Sequence, residues 1–228
     1  MSDNDSFINE VTEEVRRDRL FSLMRRYGWL VVLAILLIVG GAAWNEWRKA
    51  TAREEAQAFG DAILAALSAR EASDRATALD AVAAPGPGGA AVVDLLASAE
   101  RSEADTSEAA RRLLELADTP DTPAIYRHLA ILKAVALPGS GLSSEARRER
   151  LAPLAAQPGL LRLLAEEQLA MIDIETGARG AALDRLSALA ADAEATPPLR
   201  RRVGQVIVAL GQEPPERPGA TGETGVGQ

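Results

Sequence analysis

Residues 27–44 read YGWLVVLAILLIVGGAAW, eighteen residues without a charged side chain in a chain of which 25% is charged. No other feature constrains the chain as strongly. As a helix the run covers about 27 Å at ~1.5 Å per residue, close to the ~30 Å of hydrocarbon in a bilayer. Nine of the ten residues from Leu30 to Val39 are Leu, Ile or Val, with Leu36 near the middle. At roughly 0.3–0.6 kcal/mol each they favour insertion by about 3–5 kcal/mol. Tyr27 and Trp29 mark one edge, Trp44 and Trp47 the other, where amphipathic rings meet headgroups. Arg25, Arg26, Arg48 and Lys49 extend the span by sending their charged ends outward. Gly40, Gly41, Ala42 and Ala43 offer a small-residue face late in the run, without the four-residue spacing of a strong helix-dimer motif.

Charge on the flanks sets the expected orientation. The fifteen residues before Tyr27 carry five arginines, and the fifteen after Trp44 carry Arg48, Lys49 and Arg53. The positive-inside rule places the N-terminus in the cytoplasm and everything after Trp44 across the membrane. A cleaved signal peptide is the competing reading, with Gly41 and Ala43 as acceptable small residues before a cut. The twenty-six residues ahead of the run, six of them acidic, are long for a signal peptide. The apolar run also exceeds the usual signal core, so an uncleaved anchor is favoured.

The chain of 228 residues has a formal charge of −8, and some −7 of it falls after Trp44. An acidic domain has no electrostatic footprint for nucleic acid. With no cysteine, disulfides, thiol nucleophiles and thiolate metal sites are excluded. Aromatics are 4%, and Ala, Leu, Arg and Glu dominate. That composition fits an all-α protein packed through small and branched aliphatic side chains.

Residues 1–26 read as a cytoplasmic arm with a short amphipathic helix, Phe7, Ile8, Val11 and Val15 recurring at helical spacing. Beyond the span the helix is expected to continue to about Arg70, with Ile63, Leu64 and Leu67 as its apolar stripe. Punctuation then predicts a series of helices. Ser73 caps one running to Ala84, stopped by PGPGG at 85–89. The next covers Ala90 to Arg101. Thr106 or Ser107 caps a third, ending before Pro120, and Thr122-Pro123 opens a fourth reaching Leu137. Ser143 or Ser144 opens a fifth, kinked at Pro153. Leu160 to Thr176, Ala178 to Asp192 and Pro197 to Leu210 complete the set. The segments LDAVAAP, LLELADTP, LAPLAAQP and LSALAAD recur at steps of 33, 39 and 34 residues. A two-helix period near 34 is that of tetratricopeptide-type repeats. Residues 45–210 are thus expected to form an α-solenoid of degenerate helix pairs. Residues 211–228, rich in Pro, Gly and Glu, read as a disordered tail.

Nothing in the chain converges on catalysis. His128 is the single histidine, with no partner for a metal or a nucleophile, and reads as a helix-face residue. Glu166 and Glu167 point about 100° apart on a helix; with Asp173 and Glu175 they read as a solvated face. The 85–89 glycines lack a lysine and a preceding strand, so they read as a linker. Arg200, Arg201 and Arg202, and Arg147, Arg148 and Arg150, read as ordinary helix-surface charges. No enzyme activity, cofactor, metal or small-molecule substrate is expected.

The arm FINEVTEEVRRDRL, the entry RRYGW, the single span, the exit WRKA and the helix pairs resemble the YfgM-like family, ancillary subunits of the SecYEG translocon. The resemblance covers nearly the whole chain to about Leu210. It implies a bacterial inner-membrane protein with its repeat domain in the periplasm. Its implied partners are translocon subunits and periplasmic folding factors. The same repeat family is linked to a cell-division coordinator, so a scaffold for envelope or division machinery is the alternative. Which residues bind a partner, and the oligomeric state, stay open.

Overall fold

A computed structural model describes the backbone of residues 3–213 and 215, with side chains from residue 25 onward except 27, 28, 31 and 214. The chain divides into two compact units, Met1–Ala58 and Phe59–Gln228. Its described secondary structure is all α, nine helices with no strand. The first, α1, spans Asp3–Leu67. The side chains of Phe7, Ile8, Val11 and Val15 lie outside the described residues, as do most of residues 211–228. Among the described residues no helix is long and apolar enough to cross a membrane. The side chains of Tyr27 and Val31 of the expected span are outside them; the described uncharged apolar run is the thirteen residues from Val32 to Trp44, about 20 Å of helix.

The second unit is built from the end of α1 and eight shorter helices: α2 Ala72–Asp80, α3 Gly86–Arg101, α4 Thr106–Asp118, α5 Ala124–Ala136, α6 Ser144–Ala155, α7 Leu160–Glu175, α8 Arg179–Ala191 and α9 Pro197–Ala209. Four apolar clusters hold it together. Phe59, Ile63 and Ala66 of α1 meet Leu79 of α2 and Val93 and Ala97 of α3. Ala91 and Leu95 of α3 meet Leu113 and Leu116 of α4 and Ala130 and Ala134 of α5. Val135 of α5 meets Leu151 and Leu154 of α6 and Ala165, Leu169 and Ile172 of α7. Leu163 and Ala170 of α7 meet Leu186 and Leu189 of α8 and Leu199, Val203 and Ile207 of α9. Every cluster is two odd-numbered helices closed by one even-numbered helix. The helices α3, α5 and α7 each serve two clusters through different faces. This is the nearest-neighbour logic of a helical-repeat stack. Contacts of α3 with α5 and of α5 with α7 make these three odd-numbered helices one layer.

Alanine makes this sharing possible. Ala91, Ala97, Ala130, Ala134, Ala165 and Ala170 are fully buried, and a methyl side chain lets a helix approach neighbours on two sides at once. The starts of α3, α5, α7 and α9 lie 38, 36 and 37 residues apart, a longer step than the expected 34.

Several boundaries differ from the expected ones, each for a local reason. The cap of α2 is Glu71 in extended conformation, and the helix stops at Asp80. α4 is capped by Asp105, whose carboxylate accepts from the Glu108 N–H at 3.0 Å. An aspartate one residue earlier takes the position expected for Thr106 or Ser107. The PGPGG stretch is the first turn of α3, not a linker. Pro87 occupies an early helical position where its missing N–H costs nothing. Gly89 packs on the Pro85 ring so closely that a Cβ would sit 2.8 Å from Cδ. Ser143 caps α6 as expected, accepting from the Ala146 N–H at 3.1 Å, and Pro153 falls inside that helix.

α7 ends in a left-handed glycine. Gly177 has φ 76°; its N–H bonds to Ile174 O at 3.0 Å and that of Ala178 to Asp173 O at 2.8 Å. This is the paired-carbonyl closure that favours glycine. Gly177→Ala is expected to lower stability by about 1–2 kcal/mol, from the backbone alone, since no atom lies within 4 Å of the added Cβ. Urea unfolding measures it.

Candidate functional site

Between Trp29 and Trp47, α1 exposes Trp29, Leu30, Val32, Leu33, Ile35, Leu36, Leu37, Ile38, Val39, Trp44 and Trp47. Successive helical residues turn by about 100°, so these eleven side chains surround the helix and leave no polar stripe. Leu36 is 63% and Ile38 72% exposed. A helix that is apolar all round belongs in a large protein core or in lipid, not in water, and so large an exposed apolar surface marks an interaction site. Trp44 and Trp47 lie with ring centroids 5.2 Å apart. Beyond Trp44 an ion pair joins Arg53 to Glu46 at 3.3 Å. Around Gly40 and Gly41 nothing lies within 4 Å of an added Cβ, so this small-residue part of the surface is open. The Tyr27 side chain is outside the described residues.

In the second unit, most of the charged residues singled out in the sequence join inter-helix ion pairs, while Arg201 stays exposed. Arg147 pairs with Glu175. Arg148 reaches Asp173 at 2.6 Å, and Arg150 reaches Asp118 at 2.5 Å. Arg202 holds Glu167 at 2.7 Å. Arg200 donates to the Asp192 carbonyl at 2.7 Å. Glu166 and Glu167 diverge as expected, the former bonding to Arg185 of α8. With Asp173 and Glu175 they do not form one solvated face: Glu175 is exposed, but Glu167 is 7% and Asp173 3% exposed. Their charges are tolerated because arginines from neighbouring helices lie against them; Asp173 takes both Arg148 and Arg185. His128 is half-buried on α5. Among the described residues no group of three metal-capable side chains occurs.

One acid–arginine pair repeats with the architecture. Asp80, the last residue of α2, accepts from Arg112 of α4 at 3.3 Å. Asp118, the last residue of α4, accepts from Arg150 of α6 at 2.5 Å. Each pair is separated by 32 residues in sequence, and the second lies one repeat on. An arginine also carries compensating positive charge to a helix C-terminus.

Two of these pairings hold a carboxyl group low. The Asp118 carboxyl is held below its ordinary value by the Arg150 hydrogen bond, and that of Glu175 by Arg147. Asp192 is lowered by the Glu194 backbone N–H and then by Arg162. Asp94 is raised, chiefly by burial. A lowered carboxyl contributes stability above its unfolded pKa, about 3.9 for Asp, and loses it as pH falls through the folded value. Asp118→Asn is therefore expected to narrow the difference in melting temperature between pH 6 and pH 3. With Asp118 58% exposed, screening limits the pair to about 1 kcal/mol or less.

Two clefts open on the stack. One of about 390 Å³ lies between α7 and α8, lined by Arg162, Glu166, Asp184, Arg185 and Asp192. Its arginines are engaged, Arg162 with Asp192 and Glu194 at 2.9 Å. The other, about 220 Å³, lies among α3, α4 and α5 and is lined by Ser98, Ser102, Leu113, Lys133, Ala136 and Leu137. Neither Ser98 nor Lys133 stood out in the sequence. The available signal was Lys133 as the one charge in LAILKAVAL, residues 129–137.

No protein-family model, no curated protein and no solved structure matches the chain.

Proposed function

We propose that the chain is a non-enzymatic, membrane-tethered interaction module of the bacterial inner membrane. In this reading residues 27–44 are an uncleaved span, the N-terminal arm is cytoplasmic and the helix stack periplasmic. The observation that carries it is the all-round apolar surface of α1 from Trp29 to Trp47. In water that surface stays unburied, whereas lipid covers it without a partner of matched shape. Tethering raises the local concentration of the stack beside a membrane partner, so modest contacts suffice. A row of helix pairs presents the extended surface such contacts use. The stack is a degenerate tetratricopeptide-like solenoid in this reading, supported by the shared-helix clusters. The resemblance to the YfgM-like family names the partners: translocon subunits and periplasmic folding factors, with the chain as an ancillary subunit of protein export.

The test is a mild-detergent pull-down through a tag after Gln228, with partners and intact bait mass read by mass spectrometry. Translocon subunits on an uncleaved bait are the expected result. Enrichment of division or wall-synthesis proteins instead would replace the export role by an envelope scaffold. A bait beginning near Trp44 would remove the anchor.

A further inference from the structure

Among the described residues, all the exposed large apolar side chains of the second unit lie on odd-numbered helices: Leu64 on α1, Ile125 and Leu129 on α5, Leu160 on α7 and Val208 on α9. The even-numbered helices have none. Ile125 and Leu129 are one helical turn apart, and Ala136 falls within about 40° of both on the helix wheel. Lys133, one further turn along, is offset by about 40° toward α3. There it lines the 220 Å³ cleft with Ser98, Ser102 and Ala136. An apolar stripe thus runs into a cleft whose one charged lining residue is Lys133.

Two groups in that pocket can donate a hydrogen bond. Ser98 lines it with a hydroxyl-bearing side chain. Lys133 has no acidic partner among the described residues, while most arginines of the stack are paired. Its ammonium offsets the end of its own helix, in whose last turn it lies. It has three N–H donors to offer. The cleft is below the ~300 Å³ at which pockets for drug-sized ligands begin, so it suits a single side chain.

We propose that α3 and α5 form a docking site for an apolar polypeptide segment bearing an acidic side chain. Apolar residues of the segment cover Ile125 and Leu129, and its carboxylate enters the cleft to accept from Lys133 and Ser98. Charge complementarity selects this occupant: Lys133 is the only charge on the stripe, and the acidic remainder of the domain repels the carboxylate elsewhere, which fixes the register. The inference rests on the interaction-module reading and adds to it the chemistry of the ligand.

The test uses the full-length chain in lipid nanodiscs on an array of end-capped apolar peptides, each made with Glu, Gln or Lys at its central position. End-capping removes the terminal carboxylate as a source. Retention on Glu peptides is expected to exceed that on Gln peptides about tenfold, the effect of a charged hydrogen bond. Lys133→Met is expected to erase that difference and leave binding to the Gln series. Ile125→Ser with Leu129→Ser is expected to weaken all three, and circular dichroism checks that the variants are folded. Equal retention of Glu and Gln peptides by the unaltered chain overturns the carboxylate site and leaves the module reading standing. A Glu preference that survives Lys133→Met overturns the assignment to this cleft. No retention on any peptide overturns the docking site, while membrane anchorage is read separately by extraction.

Discussion

Replacing Ile35 and Leu36 together by arginine is expected to move the protein out of the membrane fraction. The two positions stand at the middle of the uncharged run and are 54% and 63% exposed on α1. Each arginine at a helix centre costs roughly 2.5–3.5 kcal/mol, and each lost aliphatic forfeits a further ~0.3–0.6. The pair therefore shifts insertion by about 6–8 kcal/mol, more than the ~3–5 kcal/mol that the nine aliphatics supply. Alkaline carbonate extraction followed by immunoblotting reads the outcome. The unaltered chain is expected in the pellet and the double variant in the supernatant or degraded. Equal partition of the two proteins would show that this segment does not anchor the chain, and the proposed function would fall with it. Lys49→Arg, at a position already charged and at the expected headgroup level, serves as the control; it adds no charge, and a long basic side chain there reaches water.

The second large effect lies in the stack. Leu151 of α6 is fully buried between Val135 of α5 and Ile172 of α7. Leu151→Ala removes three methyl or methylene equivalents and leaves a cavity, at a cost of about 3 kcal/mol. Leu160→Ala, on a residue 55% exposed, is the matched control and is expected to change stability by no more than about 0.5 kcal/mol. Denaturant unfolding gives the totals. Hydrogen exchange gives the location: in a stack held by neighbour contacts, protection is lost first in α5, α6 and α7. A uniform loss of protection from α2 to α9 would instead make the second unit one cooperative core, and the helix-repeat account of its stability would be wrong.

Much of the architecture was legible in the chain. Proline, glycine and capping residues punctuate it so often that the helices from α3 to α9 could be placed within a few residues. Ser143 is a cap by both sequence and geometry, and Gly177 ends α7 where its backbone freedom is needed. The errors came where two local signals compete. Asp105 outranks Thr106 because its carboxylate reaches the Glu108 N–H. The glycines at 86–89 look like a linker, yet Pro87 can begin a helix and Gly89 fits under the Pro85 ring.

Sequence alone determined the all-α class, the uncharged segment at 27–44 and the order of the helices, because hydrophobic period and turn chemistry are local. Only the tertiary structure decided which faces meet. It showed α3, α5 and α7 each shared between two clusters, since a pattern of alanines does not say which neighbour uses them. It turned Glu167 and Asp173 from surface charges into buried ones held by Arg202, Arg148 and Arg185, partners that arrive from other helices. For the same reason it brought Ser98 beside Lys133: thirty-five residues separate them in the chain, and only the packing of α3 on α5 closes that distance.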